Sequence, residues 1–429
     1  MLARATPRLA TSVVLPTPPF PETTEIIFVM YKILKKYNKS FYVMKKTKLK
    51  VLMIGWGLPP NIEGGLDIHV YSIAKEIAKR KHKVYLVVPY FNEVQIDEKN
   101  IEVIGVRCRK TGNDVFGVVK DYNRKTVKQV GDLDFNVIHT HDWFSGLAGF
   151  MLRDITKKPW VNTMHSLEYM RAGVCRCNKI IEDIEEFIVR HADMNIAVSK
   201  LVRDGMAEMY NLKKRGIRVI YNGACLDFKG KMNKKEAKKE LGIDGPAVLS
   251  VSRISNQKNL QLLIYAFKKV LERKRVKNVR LIIIGRGFMR KSLERLCKSL
   301  AIEEFVEFKG FVSNEVLIKY YAAAEVFVLP SFYEPFGIAV LDAINLKVPV
   351  IMSNKCGIGE VMEADKEVIK FDPLKSDELV NAIESLLLNR EKGEAMARLA
   401  YEKAKLFSWR KSANKVLNIY KEVIKNKCR

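Results

Sequence analysis

Short apolar runs alternate along the chain with longer stretches of helical periodicity, and this alternation restricts the fold more than any other feature. Residues 49–54 form an apolar run that ends at glycine, and residues 84–88 form another that ends at proline. Between them, residues 67–80 carry apolar side chains every three to four positions, which is helical spacing. Strands separated by helices of about ten to fifteen residues predict βαβ units and a parallel sheet.

The alternation stops in a Lys-rich segment at 229–239 and then restarts. The predicted strands before this segment are 49–54, 84–88, 137–140, 160–164, 194–198 and 218–221, and those after it are 247–251, 279–284, 306–309, 326–329 and 348–352. We therefore predict an α/β fold of two doubly wound, Rossmann-like domains with a cleft between them. The predicted domains cover residues 44–226 and 227–400, and residues 401–429 are helical.

The first 43 residues differ from the rest of the chain. Four prolines between positions 16 and 21 interrupt the apolar core that a signal peptide would need. We predict that residues 1–43 are a disordered or non-native extension and that Met44 opens the folded chain. The seven cysteines are an odd number spread over a long chain, which favours reduced thiols and a cytoplasmic protein. They include no C-x-x-C pair, so we expect no zinc site of the usual spacing.

The chain is strongly basic, with 75 Lys and Arg against 48 Asp and Glu and a formal charge of +27. Such an excess attracts nucleic acid, anionic lipid or phosphorylated substrates. A basic nucleic-acid-binding or membrane-surface protein without catalysis is therefore an alternative. No nucleic-acid module is recognisable, so we expect no nucleic-acid partner, whereas peripheral contact with an anionic membrane stays open.

Candidate anion-binding residues follow the predicted strands. Gly64 and Gly65 open a helix, where paired glycines allow backbone amides to approach a phosphate, although a simple tight turn is equally compatible. Arg253 and Lys258 follow the first strand of the second domain and suit a diphosphate, with a solvated charge pair as the alternative. Gly285 follows the next strand in another close turn.

The segment SFYEPFGIAVLDA contains the densest set of candidates. The backbone amides of Gly337 and Ile338, at a helix start, could hold a phosphate. Glu334 and Asp342 could accept hydrogen bonds from sugar or ribose hydroxyls. Glu334 lies either on this helix or in the preceding loop, and a helix-capping carboxylate is the structural alternative.

Histidines mark the ends of two strands in the first domain. His139 and His141 are two apart in HTHDW and share a face, as a metal pair would. No third ligand of matching character is recognisable, so we predict no metal site and a hydrogen-bonding role for His141. His165 ends the next predicted strand and is a second candidate.

In this order, the motifs resemble those of the retaining GT-B glycosyltransferases of group 1 (family 4), which are related to glycogen and starch synthases. The resemblance runs from about residue 48 to about residue 425. It is carried by GGLDIHVYSIAKEIAKRKHKV, HTHDW, TMHSLEY, AVSKLVRDGM, RVIYNGACLDF, SVSRISNQKNL, IIIGRGFMRKSLERL, FVEFKGFV, SFYEPFGIAVLDA and FSWRKSANKVLNIYKEV.

The resemblance implies an acceptor-side first domain, a donor-binding second domain and a last helix that crosses back to the first. It also implies that Arg253 and Lys258 neutralise the donor diphosphate, that Glu334 binds the sugar and that His141 lies near the reacting carbon. In the same way, Gly64, Gly65, Gly337 and Ile338 would contact phosphate, and Asp342 would hold the ribose.

Two positions depart from the usual family pattern. The second carboxylate is Asp342, where the family usually has Glu, and Arg286 stands where an acid is common. The glycine pair also lacks the preceding lysine of glycogen synthases, with Ile62 two residues ahead of Gly64.

The expected activity is metal-independent transfer of a hexose such as glucose, with retention. The donor would be a UDP-, ADP- or GDP-sugar and the acceptor a glycan or lipid-linked molecule. Glycogen synthase is the nearest alternative, and a nucleotide-sugar epimerase shares the architecture.

Overall fold

The predicted alternation is present as two parallel β-sheets with helices on both faces. The computed structural model describes residues 48–59, 62, 64–90, 96–108, 114–226 and 232–427, so the predicted extension at 1–43 lies outside the described residues. The strands are β1 Lys50–Ile54, β2 Lys83–Tyr90, β3 Ile101–Arg107, β4 Val137–His141, β5 Trp160–Met164, β6 Met194–Ala197, β7 Ile217–Val219, β8 Ala247–Val251, β9 Arg280–Ile284, β10 Val306–Gly310, β11 Val326–Leu329, β12 Val350–Ser353 and β13 Ile369–Phe371.

The α-helices of the described residues connect these strands. They are α1 Gly65–Lys79, α2 Val115–Val130, α3 Asp142–Thr156, α4 Glu168–Ala172, α5 Lys179–His191, α6 Lys200–Met209, α7 Lys234–Leu241, α8 Leu260–Arg273, α9 Arg290–Ser299, α10 Asn314–Ala323, α11 Ile338–Asn345, α12 Ser376–Leu388, α13 Arg390–Ala404 and α14 Trp409–Lys427. No helix in the described part of the chain is both long and apolar enough to cross a membrane.

The two sheets share one strand order. The first is β3-β2-β1-β4-β5-β6-β7 and the second is β10-β9-β8-β11-β12-β13. The order reverses between β1 and β4 in the first sheet and between β8 and β11 in the second. Ligands of doubly wound sheets bind beyond the carboxyl ends of the strands at this reversal. The fold therefore provides two such points, and the predicted α/β fold of two Rossmann-like domains is confirmed.

Strand β1 shows why the sequence reads as a continuous apolar run rather than an alternating one. Its residues from Val51 to Ile54 are fully buried. Val51 and Met53 pack in the layer that contains α1 and α14, whereas Leu52 and Ile54 pack in the opposite layer with α2 and α3. Because helices cover both faces of a parallel sheet, both sets of side chains must be apolar.

The last helix, α14, packs on the first sheet although it follows the second in sequence. Its buried residues Val416, Tyr420 and Val423 join the same core as α1 and β1. The hydroxyl of Ser412 also bonds the carbonyl of Tyr221. The crossing helix begins at Trp409, so the expected start at residue 401 falls inside α13. The expected boundary at 226–227 falls between the two sheets, after β7 and before β8.

Candidate functional site

Four of the predicted residues, two from each domain, lie close together where the two strand orders reverse. A β-carbon placed on Gly64 would lie 3.9 Å from Nε of Arg253, and one placed on Gly65 would lie 3.5 Å from Cδ1 of Ile338. Gly64 precedes α1 and Gly65 opens it. Arg253 follows β8, and Ile338 opens α11. The glycine turn of the first domain thus faces the cationic loop of the second.

The glycine turn is fixed by Asp67, a residue that the sequence analysis did not single out. This buried carboxylate accepts hydrogen bonds from the backbone N–H of Gly57 at 2.9 Å and of Gly64 at 3.2 Å. Gly64 has an extended φ of −178°, which any residue adopts. The pair therefore matters through the space that it leaves beside Arg253 and Ile338, and not through backbone strain.

The two predicted cations of the second domain have different environments. Nζ of Lys258 lies 2.7 Å from Oε2 of Glu334, and the two side chains are only 11% and 13% exposed. The hydroxyl of Ser331 also donates to this carboxylate, at 3.3 Å. The guanidinium of Arg253 is exposed and has no hydrogen bond or ion pair with any described residue. Arg253 is thus the cation that is available to a ligand.

Glu334 lies in the loop before α11, which resolves the alternatives left by the sequence. Its N–H donates to the carbonyl of Lys355 at 2.9 Å, and its carbonyl accepts from Gly357 at 2.8 Å. Gly337 then caps α11 with a positive φ of 101°, and a β-carbon there would lie 3.0 Å from Sγ of Cys356. A glycine is required here, and the N-terminus of α11 is held beside Glu334.

Gly285 packs against the backbone of the cationic loop. It has a φ of 140°, and a β-carbon on it would lie 1.9 Å from the carbonyl oxygen of Ser252. The glycine therefore allows the turn after β9 to pack against the loop that carries Arg253. The neighbouring Arg286 lies over the ring of Phe311, with 5.3 Å between the guanidinium carbon and the ring centroid.

Asp342 makes contacts that the sequence did not suggest. Its Oδ1 accepts hydrogen bonds from the backbone N–H of Cys225 at 2.7 Å and of Leu226 at 3.0 Å, in the segment that joins the two domains. The residue is 5% exposed, and burial raises the pKa of its carboxyl to about 7. Asp342 thus ties α11 to the interdomain segment, and a contact with a ribose stays a prediction.

Replacing Asp342 by asparagine is expected to stabilise the protein in alkaline buffer. The folded-state pKa of the Asp342 carboxyl, about 7, exceeds the ordinary value of 3.8. The contribution of this carboxyl to the free energy of unfolding is therefore complete below the lower pKa and is lost as the pH rises through the higher one. Asparagine keeps the accepting oxygen without the charge. Urea unfolding at about pH 8 should show a gain of about 1–4 kcal/mol for Asp342→Asn, and little gain at about pH 4.

The matched control is Asp154→Asn, since the Asp154 side chain is 76% exposed. That substitution should change the free energy of unfolding by less than about 0.5 kcal/mol at either pH. An Asp342→Asn variant that is less stable than the parent at the higher pH would contradict the account of its burial.

Histidines cluster at the carboxyl ends of β4 and β5. His141 and His165 lie side by side, with 3.1 Å between Nδ1 of His141 and Nε2 of His165. His69 of α1, which the sequence analysis missed, completes the group, because one nitrogen from each ring lies within 4.8 Å of the others. Burial lowers the pKa of His69 to about 4 and those of His141 and His165 well below their usual value. All three rings are therefore neutral at neutral pH.

His139, by contrast, is buried, and both of its ring nitrogens have hydrogen-bond partners. Its Nδ1 is 2.6 Å from the hydroxyl of Tyr420 on α14, and its Nε2 is 2.8 Å from the hydroxyl of Thr163. The metal pair considered for His139 and His141 is therefore not the group that forms. The signal for His69 was its place on the apolar face of α1, one turn before Ile73.

Comparisons with known proteins agree with this architecture. Residues 63–228 match the model described as Glycosyltransferase Family 4, and residues 232–403 match the one described as Glycosyl transferases group 1. An uncharacterized glycosyltransferase of Methanocaldococcus jannaschii is 31% identical over 393 residues, covering 87% of this chain and 98% of the relative. The chain belongs to the group 1 glycosyltransferase family.

Solved structures of glycosyltransferases share the fold. Sucrose-phosphate synthase from Thermosynechococcus elongatus superposes with a TM-score of 0.77 at 22% identity, over 88% of this chain and all of that one. Anabaena HepE in complex with UDP and glucose gives a TM-score of 0.71 at 19% identity, over 86% of this chain and 99% of that one. The GT-B architecture implied by the motifs is confirmed, and this glycosyltransferase carries its candidate site between the two domains.

Proposed function

We propose that this group 1 glycosyltransferase is a retaining hexosyltransferase that uses a nucleotide-diphosphate sugar. The observation that carries the proposal is the approach of Gly64 and Gly65 to Arg253 and Ile338 across the cleft. It creates a narrow site with a guanidinium that is unpaired among the described residues, and the start of α11 is one of its walls. Both features favour a bound diphosphate.

Arg253 and Lys258 would stabilise the negative charge of the leaving diphosphate. Cleavage of a sugar–phosphate bond leaves negative charge on the diphosphate, and fixed cations and amide dipoles stabilise charge where it develops. Arg253 is free to form a planar fork on the phosphate oxygens. Lys258 is held by Glu334, so its position is fixed before the donor arrives. We therefore propose that transfer requires no metal ion on the diphosphate.

The sugar would lie between Glu334 and His141. The Glu334 carboxylate, oriented by Lys258 and Ser331, accepts hydrogen bonds from sugar hydroxyls. The neutral imidazole of His141 exchanges hydrogen bonds without placing a positive charge beside the oxocarbenium-like centre. Attack by the acceptor hydroxyl on the face that the diphosphate leaves gives retention with no covalent intermediate on the protein.

The neighbours suggest the donor chemistry to test first. HepE is described in complex with UDP and glucose, and another solved neighbour is a sucrose-phosphate synthase. We propose a UDP-, ADP- or GDP-hexose as the donor and a glycan or lipid-linked hydroxyl as the acceptor.

A turnover screen tests this proposal. The full chain is incubated with each nucleotide sugar in buffer without Mg²⁺ or Mn²⁺, alone and with maltooligosaccharides, sugar phosphates or polyprenyl-phosphate acceptors, and nucleotide release is measured. One donor should be consumed in an acceptor-dependent manner, with the anomeric configuration kept. Elongation of maltooligosaccharides would identify glucan synthesis. Inversion, a free epimerised sugar, or turnover that depends strictly on Mg²⁺ or Mn²⁺ would contradict the proposal.

A further inference from the structure

The N-terminus of α6 in the first domain is capped by a carboxylate of the second domain. The backbone N–H groups of Lys200 and Leu201 donate to Oε1 and Oε2 of Glu360, at 2.8 and 3.0 Å. The first turn of a helix leaves such N–H groups without partners inside the helix, and the helix dipole favours negative charge there. Because both oxygens of Glu360 accept a bond, the contact between the domains has a defined geometry as well as a favourable charge.

The rest of this cap comes from the first domain itself. Ser199 is the N-cap residue of α6, and its hydroxyl accepts a hydrogen bond from the backbone N–H of Val202 at 3.1 Å. The first turn of α6 contains no acidic residue of its own. Glu360 therefore supplies the negative charge that the sequence of α6 lacks, and it does so from a distant part of the chain.

Glu360 is also connected to the loop that carries Glu334. It is the last residue of a short 3-10 helix that begins at Gly357. The N–H of Gly357 donates to the carbonyl of Glu334 at 2.8 Å. A β-carbon placed on Gly357 would lie 2.1 Å from the carbonyl oxygen of Pro335 and 2.8 Å from the β-carbon of Ser199. The loop of Glu334, the 3-10 helix and the start of α6 are thus in direct contact.

We propose that Glu360 is a positioning residue that sets the placement of Glu334 relative to the first domain. In the proposed site the sugar lies between Glu334 and His141, which belong to different domains, so their alignment depends on a contact between the domains. Glu360 provides such a contact within three residues of the backbone bond from Gly357 to Glu334. The inference rests on the proposed function, because the groups to be aligned are those that would hold the sugar.

Amide hydrogen exchange of the full chain without any ligand tests the contact itself. In Glu360→Ala, the amides of residues 200–203 should exchange about 5- to 30-fold faster, which is the effect of a lost helix cap. The amides of residues 357–358, beside the loop of Glu334, should also exchange faster. The matched control is Ser199→Ala, which removes a cap of the same helix from within the first domain and should accelerate exchange at 200–203 alone. Unchanged exchange at either segment in Glu360→Ala would overturn the proposal.

Donor kinetics test the positioning role. Glu360→Ala should lower kcat/KM about 10- to 100-fold, as a small misplacement of a group at the reacting centre does. Ser199→Ala should change kcat/KM by less than about 3-fold. In the Glu334→Gln background, Glu360→Ala should cost less than about 3-fold, because the carboxylate that Glu360 positions is already gone. Equal losses in both backgrounds would indicate a role in the fold alone and would overturn the proposal.

A second variant and the ligand-free measurement keep the two proposals separable. Glu360→Gln keeps an accepting oxygen for α6, so it should show smaller changes of the same kind, and it serves if circular dichroism shows that Glu360→Ala does not fold. If no nucleotide sugar is turned over, the proposed function fails. The exchange rates still decide in that case whether Glu360 couples the loop of Glu334 to the first domain.

Discussion

Replacing Arg253 by alanine should lower kcat/KM for the nucleotide-sugar donor by about 100- to 1,000-fold. Its guanidinium is exposed, unpaired among the described residues and next to Gly64, so the substitution removes a charge that only a ligand uses. The free energy of unfolding should change by less than about 0.5 kcal/mol, because no internal contact of the guanidinium is lost. Steady-state kinetics and urea unfolding measure the two effects.

Arg275→Ala is the matched control. This arginine lies beyond the far end of α8, about 20 Å along the helix from the cationic loop, and pairs with Glu384. Its removal should leave donor kinetics unchanged. Equal losses of activity in Arg253→Ala and Arg275→Ala would point to general charge steering and would contradict a specific role for Arg253.

Replacing Glu334 by glutamine should lower kcat/KM about 100-fold and also destabilise the protein. The loss of activity follows from weaker hydrogen bonds to the sugar, since a charged acceptor contributes about 1.5–3 kcal/mol. The loss of stability, about 1–3 kcal/mol, follows because Lys258 keeps its charge in a largely buried place without its partner. The measurements are donor kinetics and urea unfolding.

A double variant separates these two effects. In Lys258→Met/Glu334→Gln no unpaired charge remains, so the free energy of unfolding should recover most of the loss. Turnover should stay low, because both the hydroxyl acceptor and the phosphate cation are gone. Recovery of activity together with stability would mean that the pair only maintains the fold.

The fold was predictable because doubly wound sheets leave a strong pattern. Strands such as β1, buried on both faces, appear as apolar runs that end at glycine, and the helices between them keep their periodicity. The segment boundaries were less accurate. The crossing helix starts at Trp409 rather than near residue 401, because α13 continues to Ala404. The short connection between the two helices contains no glycine or proline, so the sequence does not mark where one helix ends and the next begins.

The site was only partly predictable, because its partners come from distant parts of the chain. Strand-end positions identified Arg253 and Glu334, but nothing in the sequence shows that Lys258 pairs with Glu334, 76 residues away. Asp342 follows the motif spacing, yet its oxygen bonds backbone amides 116 and 117 residues earlier. His69 was missed because the sequence does not show that its position on α1 lies beside His141 and His165, at the ends of β4 and β5.

We expect a nucleotide diphosphate to bind between the glycine turn of the first domain and the cationic loop of the second. The test is a crystal structure of the protein with the nucleoside diphosphate that is released from its donor. We predict phosphate oxygens within about 3.5 Å of the Arg253 guanidinium and of the first amides of α11, close to Gly65. Diphosphate density elsewhere, with Arg253 still unpaired, would contradict the account.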